Sequence, residues 1–230
     1  MKIRSVDYAG TIVEPDAPLP GDLPQVAFAG RSNVGKSSLI NALLRRTRKK
    51  IAHVSATPGK TRAVNFFRVN DRFFLVDLPG YGYARVPDAV RDSWARLMEG
   101  YLSRPDGPVA VVHLVDARHP PTGADVQMLG YLAQVGLPAL VVLTKIDKLS
   151  HSERTTRLRE APDRLGLDPE QIIPFSSKTG EGRDALLGAL DDLLAATEAE
   201  GAQVDRGETE REEAQVDRGE AAATEAEGAG

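Results

Sequence analysis

Between residues 24 and 195, short β-rich runs alternate with amphipathic stretches, the pattern of βα units wound on a mainly parallel sheet. QVAFAG (25–30), AVNFFRV (63–69), RFFLVD (72–77), VAVVHLVDA (109–117), ALVVLT (139–144) and IIPFSS (172–177) read as six strands. Only Asn70 and Asp71 separate the second from the third, too little chain for a crossover helix, so those two must pair as an antiparallel hairpin. SSLINALL follows the first strand, and Val90, Trp94, Leu97 and Tyr101 recur at helical spacing after Pro87-Asp88. Ser150 and Glu153 form a capping-box pattern ahead of a helix toward Leu165, and Leu186, Leu187, Leu190, Leu193 and Leu194 give a last helix its apolar face. The expected fold is a single doubly wound α/β domain with a mixed six-stranded sheet and one antiparallel edge hairpin. The N-terminal segment, KIRSVDYAG to PDAPLP, either adds an edge strand or wraps the surface, and its pattern does not choose.

Composition narrows the class. At 230 residues the chain has room for one well-buried domain and not for a second full one. It has no cysteine, which excludes a disulfide framework or a thiolate metal site. MKIRSVDYAG lacks an apolar signal core, and runs such as PALVVL fall far short of the roughly 20 residues that span a bilayer, so a soluble, cytoplasmic protein with no membrane partner is expected. The net charge of −4 is uneven: eleven acidic and three basic side chains over residues 196–230 give −8 there, leaving +4 on residues 1–195. That tail repeats AQVDRGE and ATEAEGA and holds few large apolar residues, so it reads as disordered. The expected organisation is an N-terminal extension over 1–22, a nucleotide-binding domain over 23–195 and an acidic tail over 196–230.

The chemistry lies at the strand ends. Gly30-Arg31-Ser32-Asn33-Val34-Gly35-Lys36-Ser37 fits G-x-x-x-x-G-K-[ST], after a strand and before the helix that Ser38 continues. Glycines there let backbone amides curl round a phosphate chain; Lys36 would neutralise the β and γ phosphates and Ser37 would offer its hydroxyl to magnesium. Asp77-Leu78-Pro79-Gly80 closes a buried strand, placing a carboxylate to hold magnesium through water and a glycine amide against the γ phosphate. Thr144-Lys145-Ile146-Asp147 supplies a carboxylate that can accept two hydrogen bonds from guanine, whereas adenine would leave it unpaired. Lys145 would lay its stem along the base, and Phe175-Ser176-Ser177-Lys178 would bring an amide to the guanine oxygen. Gly59-Lys60-Thr61 also reads GKT, but Val54 stands where a second cradle needs glycine. His113, His119 and His151 share no metal-ligand spacing, and His53 reads as a solvated loop residue rather than a base.

The stretch GRSNVGKSSLINAL, followed by TPGKT, NFF, DLPGYG, TKID and FSSK, resembles the EngB family of bacterial GTPases, in the translation-factor-related class, over about residues 20–195. The resemblance implies a GTP-hydrolysing switch in assembly of the large ribosomal subunit, linked to normal cell division and septation. It makes Thr61 the mobile-loop threonine that bonds magnesium and senses the γ phosphate, so Ser37, Thr61 and Asp77 would form the metal set, with Gly59 and Lys60 beside the nucleotide. Lys36, Thr61, Gly80 and Asn33 are the candidates for catalysis. Asn33 has two readings: it resembles the potassium-coordinating asparagine of cation-activated GTPases, or it only shapes the loop. Tyr81 stands where regulatory GTPases such as Ras carry a water-orienting glutamine; it is expected to point away from the phosphate, and a slow intrinsic rate follows.

Arg45, Arg46, Arg48, Lys49, Lys50, Lys60, Arg62 and Arg68 cluster around the long polar segment 46–62. They read either as a solvated face at a helix end or, with the resemblance, as a face for ribosomal RNA on a large-subunit precursor. GTP and GDP are the expected ligands and magnesium the expected cofactor, with potassium under one reading of Asn33; no DNA partner is expected, and the protein is expected to be a monomer. The alternative is a guanine-nucleotide-dependent scaffold or division-linked interaction protein with negligible turnover.

Overall fold

The computed structural model describes residues 1–44, 63–82 and 88–199, with the side chains of 88–91 and 94 outside that description. Its strands are β1 (Val6–Ile12), β2 (Gln25–Gly30), β3 (Val64–Val69), β4 (Phe73–Asp77), β5 (Ala110–Asp116), β6 (Ala139–Thr144) and β7 (Ile172–Pro174). Its helices are α1 (Lys36–Leu43), α2 (Asp88–Leu102), α3 (Gly123–Gln134), α4 (His151–Leu165) and α5, residues 183–199. The strands form one mixed sheet in the order β1-β3-β4-β2-β5-β6-β7.

Asn70 and Asp71 both take left-handed backbone, φ 54° and 51°, the two-residue turn whose twist suits the flanking strands. It joins β3 to β4 antiparallel, as their short separation requires. The sheet has seven strands where six were expected, because β1 pairs antiparallel with β3 outside the hairpin, which is therefore not itself the edge. The turn provides the reason: the Asn70 side-chain oxygen accepts the Arg4 and Ser5 amides at 2.7 and 3.2 Å, and its amide donates to the Lys2 carbonyl at 2.7 Å. The segment after β1 does wrap, since Arg104 donates to the Pro15 and Ala17 carbonyls at 2.8 and 2.9 Å. At the far end β7 is only three residues long; Phe175 N–H still donates to the Leu143 carbonyl of β6 at 2.8 Å, and Ser176 and Ser177 turn away into a loop.

Every residue of β2 is buried, as suits a central parallel strand covered on both faces. Phe66 packs edge-to-face on Phe74 and on Tyr101 of α2, with centroids 6.1 and 5.9 Å apart. Of the stripe expected on α2, Leu97 and Tyr101 are buried, while the Val90 and Trp94 side chains lie outside the described residues. The capping box at α4 forms, Ser150 Oγ accepting the Glu153 amide and the Glu153 carboxylate accepting that of Ser150. Leu186, Leu187 and Leu190 of α5 are buried. Met1–Leu190 form one compact unit; from Asp191 a second is marked, of which residues 191–199 are described and helical, and the acidic tail from residue 200 lies outside the described residues. Among the described residues no helix is long and apolar enough to cross a membrane.

Strands β4, β2, β5, β6 and β7 run parallel, so Asp77, Gly30, Asp116, Thr144 and Pro174 end along one edge of the sheet. That edge is where open α/β sheets bind ligands.

Candidate functional site: a nucleotide cradle at the strand ends

α1 starts at Lys36 because Gly35 takes φ 106°, a left-handed turn that favours glycine. At Gly30 the demand is space: an added Cβ would lie 3.0 Å from Val34 Cγ1 and 3.1 Å from Leu114. Among the described residues the amides of Asn33, Gly35, Lys36, Ser37 and Ser38 make no hydrogen bond. The first amides of any helix are unbonded, but here two loop amides join them and the Ser32 hydroxyl is buried with no partner among the described residues. A ring of unsatisfied donors at a positive helix end fits an oxygen-rich anion such as a phosphate chain. Lys36, 9% exposed, reaches from this ring to an ion pair with buried Asp77.

Beyond β4 the chain is bound to β2 ahead of Gly80 and to the end of β2 and the loop that follows it after Gly80. Leu78 N–H donates to the Phe28 carbonyl at 3.2 Å, Tyr81 N–H to that of Gly30 at 3.4 Å, and Ser32 N–H to that of Tyr81 at 2.9 Å, making a parallel bridge between Arg31 and Tyr81. Between these bonds the Gly80 amide is free among the described residues, and a Cβ there would stand 3.1 Å from Ser32 Oγ and 3.3 Å from Ser32 Cα. Glycine is thus what lets the corner lie against the loop. Pro79 and Leu78 are buried. The Tyr81 side chain turns inward to His113 and Asp125, not toward the cradle.

At the base-reading end, Lys145 takes φ 62° and its ammonium donates to the Asn33 carbonyl at 2.5 Å and to Asp116 at 2.7 Å. Asp116 also accepts from Arg118 Nε and Nη2. Burial raises the Asp116 carboxyl, but the bonds from Arg118 and Lys145 outweigh it and bring it down to about 2. With its folded value depressed, the contribution of this carboxylate is complete above the unfolded value near 4 and is lost as pH falls toward 2. Asp116→Asn is expected to leave Lys145 held by the Asn33 carbonyl without its charged partner and to weaken GDP and GTP alike by about tenfold, the worth of one charge-assisted bond. Calorimetric titration with GDP checks this, and an unchanged affinity would remove Asp116 from the site.

Asp147 Oδ1 accepts the Ser176 hydroxyl at 2.8 Å, so the loops that carry Asp147 and Ser176 lock one another. Ser176 Oγ in turn accepts the amides of Lys178 and Thr179, and the Ser176 amide donates to the Glu181 carbonyl at 3.0 Å. Of the Ser176, Ser177 and Lys178 amides only that of Ser177 is left unbonded among the described residues. A fixed carboxylate beside one free amide suits the donor and acceptor edges of guanine.

The residues singled out by sequence divide by role. Thr144 is a strut, its buried hydroxyl donating to the Val34 carbonyl at 2.7 Å. Leu78, Ile146 and Phe175 lie buried beneath the site. Gly59, Lys60, Thr61 and Arg62, with the basic run in 45–50 and His53, fall outside the described residues. Asp116 and Arg118 were missed, although an aspartate closing the run VAVVHLVDA was a visible signal.

A doubly wound sheet that carries a phosphate loop, a D-x-x-G corner and an aspartate-bearing base loop along one edge defines the P-loop GTPase class. Residues 25–145 match the family described as 50S ribosome-binding GTPase. The "Probable GTP-binding protein EngB" of Gemmatimonas aurantiaca is 50% identical over 196 residues, covering 85% of this chain and 95% of that protein. Its namesake from Desulforamulus reducens is 46% identical over 196 residues, covering 84% and 95%. This chain belongs to the EngB family of GTP-binding proteins. Its fold matches the crystal structure of a "probable GTP-binding protein engB" with TM-score 0.62 at 23% identity over 75% of this chain and 99% of that one. It also matches Aquifex aeolicus Era bound to GDP.AlF4-, with TM-score 0.59 at 24% identity over 74% and 56%.

Proposed function

We propose that this GTP-binding protein hydrolyses GTP and acts as a nucleotide-controlled switch in assembly of the large ribosomal subunit, in the cytoplasm and in step with cell division and septation. The observation that carries the nucleotide chemistry is the placement, along one sheet edge, of the unbonded amide ring around Lys36 and the Ser176-locked Asp147. Ser37 and Asp77, with Thr61, would hold magnesium, which when bound offsets the charge of the phosphates. Lys36 grips the phosphates, the free Gly80 amide meets the γ phosphate, Asp147 reads the base edge and the Ser177 amide meets the guanine oxygen. Family membership supports the ribosomal role. Of the basic set only Arg68 is described, and it is ion-paired with Asp71 at 3.1 Å, so ribosomal RNA would be met by the other members. Co-sedimentation with large-subunit precursors in the presence of GTP and not GDP is the test; a protein that stays at the top of the gradient in both states overturns the assignment.

The inward turn of Tyr81 supports a second reading, a nucleotide-dependent scaffold with negligible turnover, because no side chain from that position is left to orient water. Single-turnover hydrolysis separates the two. Asn33 bears on the rate. Its left-handed backbone, φ 64°, gives it a loop-shaping role, while its exposed side chain is available to a monovalent cation. Replacing sodium by potassium at saturating GTP is expected to raise turnover by about tenfold through positive charge beside the transferring group; equal rates in the two salts would leave Asn33 as a loop-shaping residue alone.

A further inference from the structure

Tyr81 follows the glycine that would meet the γ phosphate, and its backbone is bridged to the phosphate loop at Arg31 and Ser32. Its side chain enters a polar pocket between β5 and α3. His113 on β5 is 0% exposed, and its ring lies nearly parallel to that of Tyr81, 10° apart, with centroids at 6.2 Å. The Tyr81 hydroxyl stands 3.3 Å from His113 Nε2 and donates to Asp125 Oδ1 at 3.4 Å. Asp125, 2% exposed, spends its other oxygen on the start of α3, accepting the Thr122 amide and hydroxyl at 2.8 and 2.7 Å. His113 Nε2 is 3.6 Å from the same Asp125 Oδ1. His113 Nδ1 has no hydrogen-bond partner among the described residues.

Three polar side chains gathered inside an apolar core are costly unless they bond one another, and a leucine or phenylalanine would fill the same space without that cost. Here His113 and Asp125 meet Tyr81, the residue that follows Gly80. Burial, and after it the Asp125 charge, pushes the Tyr81 phenol up, so the hydroxyl stays a donor.

Building on the proposed GTP chemistry, we infer that His113 and Asp125 form a buried receptor for the Tyr81 phenol, whose docking holds the free Gly80 amide against the phosphate loop and so sets the preference for nucleotide with a γ phosphate. Tyr81 is a positioning residue in this scheme: its hydroxyl faces His113 and Asp125, and it acts through Gly80. GDP carries no γ phosphate to meet Gly80, so undocking Tyr81 is expected to cost GTP affinity alone.

The test is titration of wild type, Tyr81→Phe and Tyr81→Ala with fluorescent GDP and fluorescent GTPγS in magnesium. Tyr81→Phe keeps the ring and loses the hydroxyl; it is expected to weaken GTPγS by about tenfold, the worth of one bond to a charged group, with GDP affinity kept within about twofold. Tyr81→Ala is expected to lose more GTPγS affinity in the same selective way, and should it fail to fold, Tyr81→Phe still decides. A GTPγS-to-GDP ratio that stays within about twofold of wild type, or an equal fall for both nucleotides as general destabilisation would produce, overturns the inference. Wild type that bound neither nucleotide would instead overturn the GTP reading on which it rests.

Discussion

Asp147→Asn is expected to turn a guanine-selective site into one that prefers xanthine. Guanine offers two donors on one edge, the ring N–H and the exocyclic amine, and a carboxylate accepts both. An asparagine amide presents an N–H where the amine also presents N–H, so one pair becomes donor against donor inside a partly buried site. That loss is about 3 kcal/mol, or on the order of a hundredfold in GDP affinity. Xanthine carries an oxygen in place of the amine and restores the match. The fold should be indifferent, because the substituted amide keeps an oxygen for the Ser176 hydroxyl that Asp147 Oδ1 now accepts at 2.8 Å. Competition of GDP against XDP for the variant, with a thermal melt beside it, measures both halves. An unaltered preference would mean that Asp147 does not face the base, and the guanine assignment would fall with it.

Lys36→Met is expected to damage stability and binding together, and a second substitution can separate them. Lys36 and Asp77 are 9% and 5% exposed and form a buried ion pair. Removing the lysine strands a carboxylate in the core, at a cost of about 3–5 kcal/mol to the nucleotide-free protein. It also removes a buried cation beside the unbonded amides, so nucleotide affinity should fall by roughly a thousandfold. Adding Asp77→Asn removes the stranded charge. The double variant should recover most of the melting temperature and none of the binding. If binding returned with stability, Lys36 would be a structural residue and the phosphate grip would lie elsewhere.

Much of the site was legible because its chemistry is local in sequence. A phosphate-binding loop needs only glycines, backbone amides and a helix start close together, so Gly30 to Ser38 announce one without help from the rest of the chain. The hairpin was equally legible, since two residues between two apolar runs leave only one way to connect them. The edge strand was not. β1 alternates weakly, with exposed Tyr8 and a bulge between Tyr8 and Gly10, and its place is set by Asn70, which holds Arg4 and Ser5 just ahead of it from 66 and 65 residues away. Nor did the pattern show that Tyr81 would find polar partners inside the core, or that Lys145 would be held from Asp116.

The amino-acid sequence alone determined the layered α/β class, the G-x-x-x-x-G-K-S loop, the T-K-I-D turn and the family, because each depends on residue types at short fixed spacings. Only the tertiary structure decided which long-range partners hold those parts in register: Lys36 with Asp77, 41 residues apart; Lys145 with Asp116, 29 apart; Tyr81 with His113 and Asp125, 32 and 44 apart. Side chains that distant meet only after parallel strands have stacked in an order different from their order along the chain, and no local spacing encodes that order.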